Sequence, residues 1–553
     1  MPEYFQEVKD LTVELVSVRS VNKAPGEESA IAKHILGYYE KHPYFRENPG
    51  SFRLQKTKND PIDRHNVIAY VRGTKEGGSD KTVILIGHID TVGVDDFGEF
   101  ADYATKPEEL PELLKEHFLL SDEVLEDIAS GDYLFGRGSL DMKSGVAGHM
   151  AIMKHFSEQP ELLKGNIVAV HACDEEDSSN GIISALDVLT ELKDECGFDY
   201  IACVNADYTT NRYPNDTNFY VYFGTIGKYL PGCSVFGKEA HAGQPFAAFD
   251  PNLLTAIITK NVSLNSRLSD MAQGELTVPP ISLKQMDFKP DYSVQTALAA
   301  QVYYNVFSHG SGADKVIATF KEVVEESYDE TLELMDRRYR EYCERAGIDY
   351  TPLGWKRSVY TWEELCEELR EKNPSFDKKI EEFKSALHLK SPDMDMRRFS
   401  HEVAQFAWNM KKSDAPGVVI YYGAILSAPI ETVGRNEGER ALIAGVEKAL
   451  SETKSLPGRP IQKRFFYPYI SDSSFMAVSG DRESHKKYIY NMPSWGQKYV
   501  HPFEKIEEVD VPVVNIGPQG KDGHMLSERV HQKYSFGVVP SITTRVLLEL
   551  LKQ

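Results

Sequence analysis

The chain has 553 residues, a formal net charge of −22, 41% hydrophobic and 26% charged residues. That length exceeds one ordinary domain, and the acidic balance argues against nucleic acid or an anionic membrane surface as partner. No apolar run reaches the ~20 residues of a membrane helix, and "MPEYFQEVKDLTVELVSVRS" lacks the apolar stretch of a signal peptide, so a cytoplasmic location is expected.

The first expected element is an amphipathic helix over residues 4–18. Four short runs follow along the chain: "TVILIG" (82–87), "NIVAVHA" (166–172), "YIACVNA" (200–206) and "VPVVNIG" (511–517). They are rich in β-branched residues and apolar almost throughout, as strands covered on both faces in a parallel α/β sheet are. Helical patterns lie between them, at 141–156 and 180–193. Near residue 224 the character changes to glycine-punctuated strands, with a helix expected at 250–262. From 312 to about 412 the pattern is helical and highly charged. Val316, Phe320, Val324, Tyr328, Leu332, Met335 and Tyr339 mark one face of a long helix. Helices are also expected at 361–386 and 397–412, a strand at 417–425, and a return to α/β style from 436. The expected organisation is therefore a discontinuous domain, 1–223 and 431–553, with a second domain, 224–430, inserted in it. None of the six cysteines (173, 196, 203, 233, 343 and 366) forms a C-x-x-C pair, so reduced, mostly buried thiols are expected.

The chemistry sits after the strands. "TVILIG" is followed by His88 and Asp90, "NIVAVHA" by Asp174–Asp177, "YIACVNA" by Asp207, and "VPVVNIG", after a glycine loop, by His524. In open α/β sheets the ligand crevice lies at the carboxyl ends of the strands. Asp141 closes the glycine-rich loop "GRGSLD" just before a helix. Carboxylates converging on one rim repel one another, and divalent cations relieve that repulsion. Imidazole and carboxylate donors suit zinc, cobalt or manganese. Two histidines and three acids exceed the three protein ligands of a mononuclear catalytic zinc and are the number expected for two metals sharing a carboxylate. If the strand continues through His88 and Asp90, both side chains share a face, and Asp90 can orient the imidazole. Of the adjacent Glu175 and Glu176, one acid is needed as a general base. His149 and His171 are read as structural. Asp174 and Asp177 are read as caps or outer supports.

These stretches resemble the di-zinc aminopeptidase and deacylase family that includes glutamate carboxypeptidases, succinyl-diaminopimelate desuccinylase and acetylornithine deacetylase. "GHIDTV", "GRGSLDMKSG", "CDEED", "NADYT", "EAHAGQPF" and "GKDGHMLSERV" stand in the family's order across residues 87–530. The resemblance implies an α/β/α metal-binding domain with an inserted α+β lid. It implies His88, Asp141 and Asp207 as ligands of one metal, and Asp141, Glu176 and His524 as ligands of the second. It makes Glu175 the general base, Asp90 the orienter of His88, and His241 of the lid the oxyanion stabiliser. The implied reaction is hydrolysis of an amide in a small N-acyl amino acid, dipeptide or related substrate by a water bridging two metals. Some family members take the lid histidine from a second subunit, which implies a homodimer, although the large insertion here could supply it within one chain. The ~200-residue second domain, enlarged by the helical stretch 312–412, and the closing "SERV" resemble the long arginine-utilisation subgroup, implying amino-acid catabolism. The long acidic segment 93–135 is expected to shape the pocket. The alternatives are a metal-binding or regulatory protein with a degenerate site and a non-hydrolytic scaffold built on the helical insertion.

Overall fold

The computed structural model describes residues 2–413, 415–478 and 482–552. The chain divides into two compact units.

The first unit comprises Met1–Ile226, Ile430–Val478 and Pro502–Gln553. Its central sheet runs, from one edge, through Phe52–Lys56, His65–Arg72, Asn166–Ala172, Lys81–His88, Asp199–Asn205, Val513–Asn515, Phe219–Thr225 and Ile430–Glu431, with Ile461–Arg464 also paired to Phe219–Thr225. The four expected strands form its middle and are mutually parallel. Phe52–Lys56, His65–Arg72, Phe219–Thr225 and Ile430–Glu431 join through antiparallel pairings, and Ile461–Arg464 pairs parallel with Phe219–Thr225, so the sheet is mixed rather than wholly parallel. The antiparallel strand Phe52–Lys56 was not anticipated because it is mostly half-buried and polar, with no run of apolar residues to announce it.

Side chains alternate across a strand. Val83, Leu85, Ile167, Ala169, Ala202 and Val204 share one core with the helices Phe5–Ser17, Ser144–Glu158 and Val539–Leu550. The alternate residues Ile84, Ile86, Val168, Val170 and Cys203 are equally buried, on the other face. The helix Asn180–Cys196 buries Ile182, Ala185, Leu186 and Leu189 outside that first core and touches Asn166–Ala172. Both faces are thus covered, which is why the strands carry no polar alternation.

Register brings the site together. His88 pairs with Ala172, and Ile86 with Asn205. The residues just beyond these strands therefore emerge at one rim. Segment 93–135 forms the helices Leu110–His117 and Asp122–Ser130 around a small core of Phe97, Leu110, Leu114, Val124 and Phe135.

The second unit comprises Gly227–Pro429 and Ser479–His501. Its sheet is ordered Ile281–Asp287, Ala299–Ser308, Pro231–Phe236, Gly417–Tyr422 and Val359–Thr361. The expected long helix is Ala313–Ala346, of 34 residues. Val316, Phe320, Val324 and Tyr328 are buried on it, whereas Leu332, Met335 and Tyr339 are half-exposed. The helix expected at 361–386 is two helices, Trp362–Lys372 and Phe376–Lys390. Pro374 lies between them, lacks an N–H and disfavours helix at the preceding residue. The first of the two begins with a capping box between Thr361 and Glu364.

The boundary expected at 431 needs one correction, because residues 479–501 belong to the second unit. Ser484 Oγ accepts the backbone N–H of Ala313 at 2.7 Å. The Tyr488 ring stacks on Tyr422 with centroids 4.7 Å apart, and Asn491 O accepts the N–H of Tyr422 at 2.8 Å. These aromatic and backbone contacts draw the segment back to a strand more than sixty residues upstream. No helix among the described residues is long and apolar enough to cross a membrane.

Candidate metal centre

Each candidate side chain of the first unit is held by a strand end or by the loop that follows it. His88 ends its strand and is 2% exposed. Its Nε2 lies 2.9 Å from Asp141 Oδ1 and 3.9 Å from Glu175 Oε2. Its Nδ1 lies 3.1 Å from the backbone carbonyl oxygen of Asp90 and 3.6 Å from the Asp90 carboxylate. A backbone acceptor at Nδ1 leaves Nε2 free to face the acids.

Asp141 is brought to the rim by the glycine-rich loop before the helix Ser144–Glu158, and its peptide bond to Met142 is cis. Its two oxygens face different imidazoles: Oδ1 faces His88, and Oδ2 lies 2.9 Å from His524 Nε2. His524 Nε2 also lies 3.1 Å from Glu176 Oε1. Two groups of donor atoms result, His88–Asp141–Asp207 and Asp141–Glu176–His524, each with its atoms within 4.8 Å of one another. Asp141 belongs to both. Asp207 stands two residues beyond the end of its strand, and its backbone is clamped by Asn515, which accepts the Asp207 N–H at 3.0 Å and donates to its carbonyl at 2.8 Å. Gly517 passes so close that a Cβ there would stand 1.8 Å from the Asp207 carbonyl oxygen, so only glycine fits.

The electrostatics follow from burial. Burial raises Asp207 to about 7, aided by the charge of Asp141. Burial likewise raises Glu176, again with Asp141. Glu175 is pushed well above the usual carboxylate range by burial; His88 opposes this, while Asp472, Glu176 and Asp207 add to it. Burial acts against charge on His524, yet its hydrogen bonds to Asp141 and Glu176 lift it to about 11. Burial also opposes charge on His88, and its contacts with Asp141 and Asp90 overcome that. On Asp141 burial favours the neutral acid, but hydrogen bonds from His524 and His88 hold it below its usual range. The rim thus attracts positive charge strongly. Nitrogen and oxygen donors grouped around a shared carboxylate fit divalent zinc, cobalt or manganese.

Four supports were not singled out from the sequence. Glu528 Oε1 accepts the N–H groups of Leu140 and Asp141 at 3.1 and 3.2 Å, and Arg137 Nη1 donates to its Oε2 at 2.9 Å. Its motif was visible, but its partner at Asp141 was not. Arg64, buried at 2% exposure, donates to Asp60 and Glu28 and pairs with Asp174 at 2.8 Å. Asn22 donates to Asp90 and Asp174. Asp472 is 6% exposed and pushed by burial to about 8. Nothing local in the sequence ties Arg64 or Asn22 to the rim: Asp60 is near Arg64 in the chain, but Glu28, Asp90 and Asp174 lie 36 to 152 positions from the residues that bind them.

Asp174 is buried and accepts the N–H of Asn180 at the start of the helix Asn180–Cys196. Asp177 pairs with Lys23 at 2.7 Å. His149 and His171 are buried away from the donor groups; burial lowers both to about 3, and His171 Nε2 is 2.7 Å from Tyr39 Oη. His241 lies in the second unit and is exposed. Its Nδ1 accepts the N–H of Gly243 at 3.0 Å, which leaves the proton of the neutral ring on Nε2.

The family described as Peptidase family M20/M25/M40 matches residues 120–478. Protein RocB of Bacillus subtilis (strain 168) is 35% identical over 549 residues, covering 99% of this chain and 95% of its own. Succinyl-diaminopimelate desuccinylase of Psychrobacter sp. (strain PRwf-1) is 23% identical over 369 residues, covering 64% of this chain and 76% of its own. A tripeptidase from Staphylococcus aureus subsp. aureus Mu50 has a similar fold, with a TM-score of 0.51 at 13% identity over 100% of both chains. The sequence match over most of the chain and the donor groups at the strand ends agree: this chain belongs to the peptidase family M20/M25/M40 and is a hydrolytic metalloenzyme of the peptidase and deacylase kind.

Proposed function

We propose that the enzyme hydrolyses the amide bond of a small N-acyl amino acid, dipeptide or related amino-acid derivative, in amino-acid catabolism of the arginine or ornithine kind. The observation that carries this reading is the sharing of Asp141 between two donor groups, with the partly buried Glu175 3.9 Å from His88 at the same rim. His88, Asp141 and Asp207 would hold one divalent cation, and Asp141, Glu176 and His524 the other; zinc suits these donors best, with cobalt or manganese also suited. When bound, such a pair polarises a carbonyl and makes a water acidic. Glu175 is not in either donor group, so its carboxylate is free to take the proton of the attacking water and deliver it to the departing amine. Asp90, with its carboxylate 3.6 Å from His88 Nδ1, orients that imidazole. His241, with its Nε2 proton available, donates to the developing oxyanion.

The same reading includes a homodimer. Ile281–Asp287 is the edge strand of the second unit's sheet, and Ile281 and Leu283 on it are 52% and 50% exposed. An edge strand with exposed apolar side chains offers its free backbone groups to a second copy, although Lys284 beside them weakens that pairing.

Two measurements on the purified chain test the function. Metal analysis is expected to return two divalent ions per chain, and a panel of N-acetyl and N-succinyl amino acids and dipeptides, biased toward arginine and ornithine, is expected to contain a substrate whose hydrolysis chelator abolishes and added metal restores. Metal binding without hydrolysis of any panel member would favour a degenerate, regulatory family member.

A further inference from the structure

Asp90 is fully buried, and its carboxylate does more than face His88. Its Oδ1 accepts the backbone N–H of Glu175 and its Oδ2 that of Glu176, both at 3.2 Å. The strand that delivers His88 is thereby tied to the two glutamates through their main chain. The loop itself is held in an uncommon conformation, with Asp174 at φ +63° and Ser179 at φ +51°. Such residues persist when surrounding contacts over-determine them.

Those contacts come from the N-terminal segment and from Arg64. Nδ2 of Asn22 donates to Asp90 Oδ2 at 2.8 Å and to Asp174 Oδ1 at 3.1 Å. One amide group thus bridges two buried carboxylates that would otherwise repel. Arg64 Nη1 lies 2.8 Å from the same Asp174 Oδ1 and donates to Glu28 Oε2 at 3.1 Å. Glu28 Oε1 in turn accepts the N–H of Asp174 at 3.0 Å. The N–H and Oδ1 of Asp174 are thus held from outside the loop, while its carbonyl and Oδ2 accept the N–H groups of Ser179 and Asn180 at 2.7 and 3.1 Å. None of Asn22, Arg64 or Glu28 belongs to a donor group for metal.

We propose that Asn22 and Arg64 are positioning residues for the general base: they lock Asp174 and Asp90 in place, and Asp90 then fixes the peptide groups from which Glu175 and Glu176 project. This rests on Glu175 as the base. Asn22 is the better site to test, because it is half-buried and its removal leaves no unpaired charge of its own, whereas removing buried Arg64 leaves acids uncompensated.

Supporting groups of this kind are worth about 10–100-fold in activity or metal affinity. Asn22→Ala is expected to lower kcat by about 10–100-fold while KM and metal content stay as in the wild type. Asn22→Asp keeps the shape, loses the donor and adds a third carboxylate, so it is expected to lose more than Asn22→Ala. Arg64→Lys, which keeps the charge, is expected to be milder than Arg64→Met. In the Glu175→Gln background Asn22→Ala is expected to cost nothing further. Hydrogen exchange followed on the full-length metal-loaded enzyme gives a readout independent of turnover: the amides of Glu175 and Glu176 should exchange faster in Asn22→Ala, with the helix Asn180–Cys196 unchanged. Unaltered exchange at those two amides would overturn the frame. Faster exchange with wild-type kcat would overturn the positioning role. Wild-type turnover by Glu175→Gln would instead sink the base assignment, and the exchange result would still decide whether Asn22 holds the loop.

Discussion

His88 and His524 share one carboxylate: their Nε2 atoms each stand 2.9 Å from Asp141, on different oxygens. The two histidines come from opposite ends of the chain. Asp141 is also the residue common to both donor groups, so it carries different consequences from its neighbours.

His524→Ala removes a donor from one group alone. It is expected to leave about one equivalent of metal per chain after dialysis, where the wild type keeps about two. Asp141→Ala touches both groups and is expected to empty both. Elemental analysis of the dialysed variants decides; equal losses in the two variants would contradict a shared Asp141.

Glu175 is read as the base and not as a ligand. Glu175→Gln keeps the shape and loses the proton acceptor, so it should retain both metals and lose at least about 100-fold in kcat, the usual range for a general base being 10²–10⁴. Loss of a metal equivalent in this variant would make Glu175 a ligand instead.

The turn behind the glutamates depends on Gly181. A Cβ there would stand 2.0 Å from the Cys173 carbonyl oxygen and 2.8 Å from Asn66 Oδ1. Gly181→Ala must therefore shift backbone, and a cost of about 3 kcal/mol is expected from overpacking of this kind. Chemical denaturation would show it as a lower midpoint at unchanged slope.

Buried His149 makes the fold acid-sensitive. Burial lowers its folded pKa from 6.5 to about 3, and neither ring nitrogen has a hydrogen-bond partner in the structure. A folded pKa below the unfolded one means that the unfolded chain binds the proton first. The resulting stability is fully present above pH 6.5 and is lost progressively as pH falls from there toward 3. At pH 5 the loss is about 2 kcal/mol from this residue. His149→Leu should therefore lose about 2 kcal/mol less than the wild type between pH 7.5 and pH 5, read from denaturation curves at the two values. An unchanged difference would place its proton elsewhere.

The homodimer has its own test. Leu283→Lys puts a charge on the exposed edge strand and should shift the protein to monomer in sedimentation velocity. A wild-type protein that sediments as a monomer would remove this part of the proposal.

Much of the architecture was legible locally. Strands such as Asn166–Ala172 are buried at every position, and burial on both faces writes itself into composition as an unbroken apolar run. Chemistry-bearing residues that immediately follow such runs were visible for the same reason, because strand ends in an α/β sheet share a rim. The antiparallel strand Phe52–Lys56 is half-exposed and leaves no such mark, and Pro374 divides a stretch whose helical periodicity runs on across it.

The sequence by itself thus determined the kind of fold and which histidines and acids follow its central strands, since these depend on local periodicity and on side-chain chemistry. Only the tertiary structure decided which residues meet. The pairing of Asp141 with His524, of Asp174 with Arg64, and of Asp90 with the amides of Glu175 and Glu176 spans tens to hundreds of positions. It also sent residues 479–501 back to the second unit. Hydrogen bonds and ion pairs between distant segments depend on strand register and chain crossing, which leave no periodic trace in the chain.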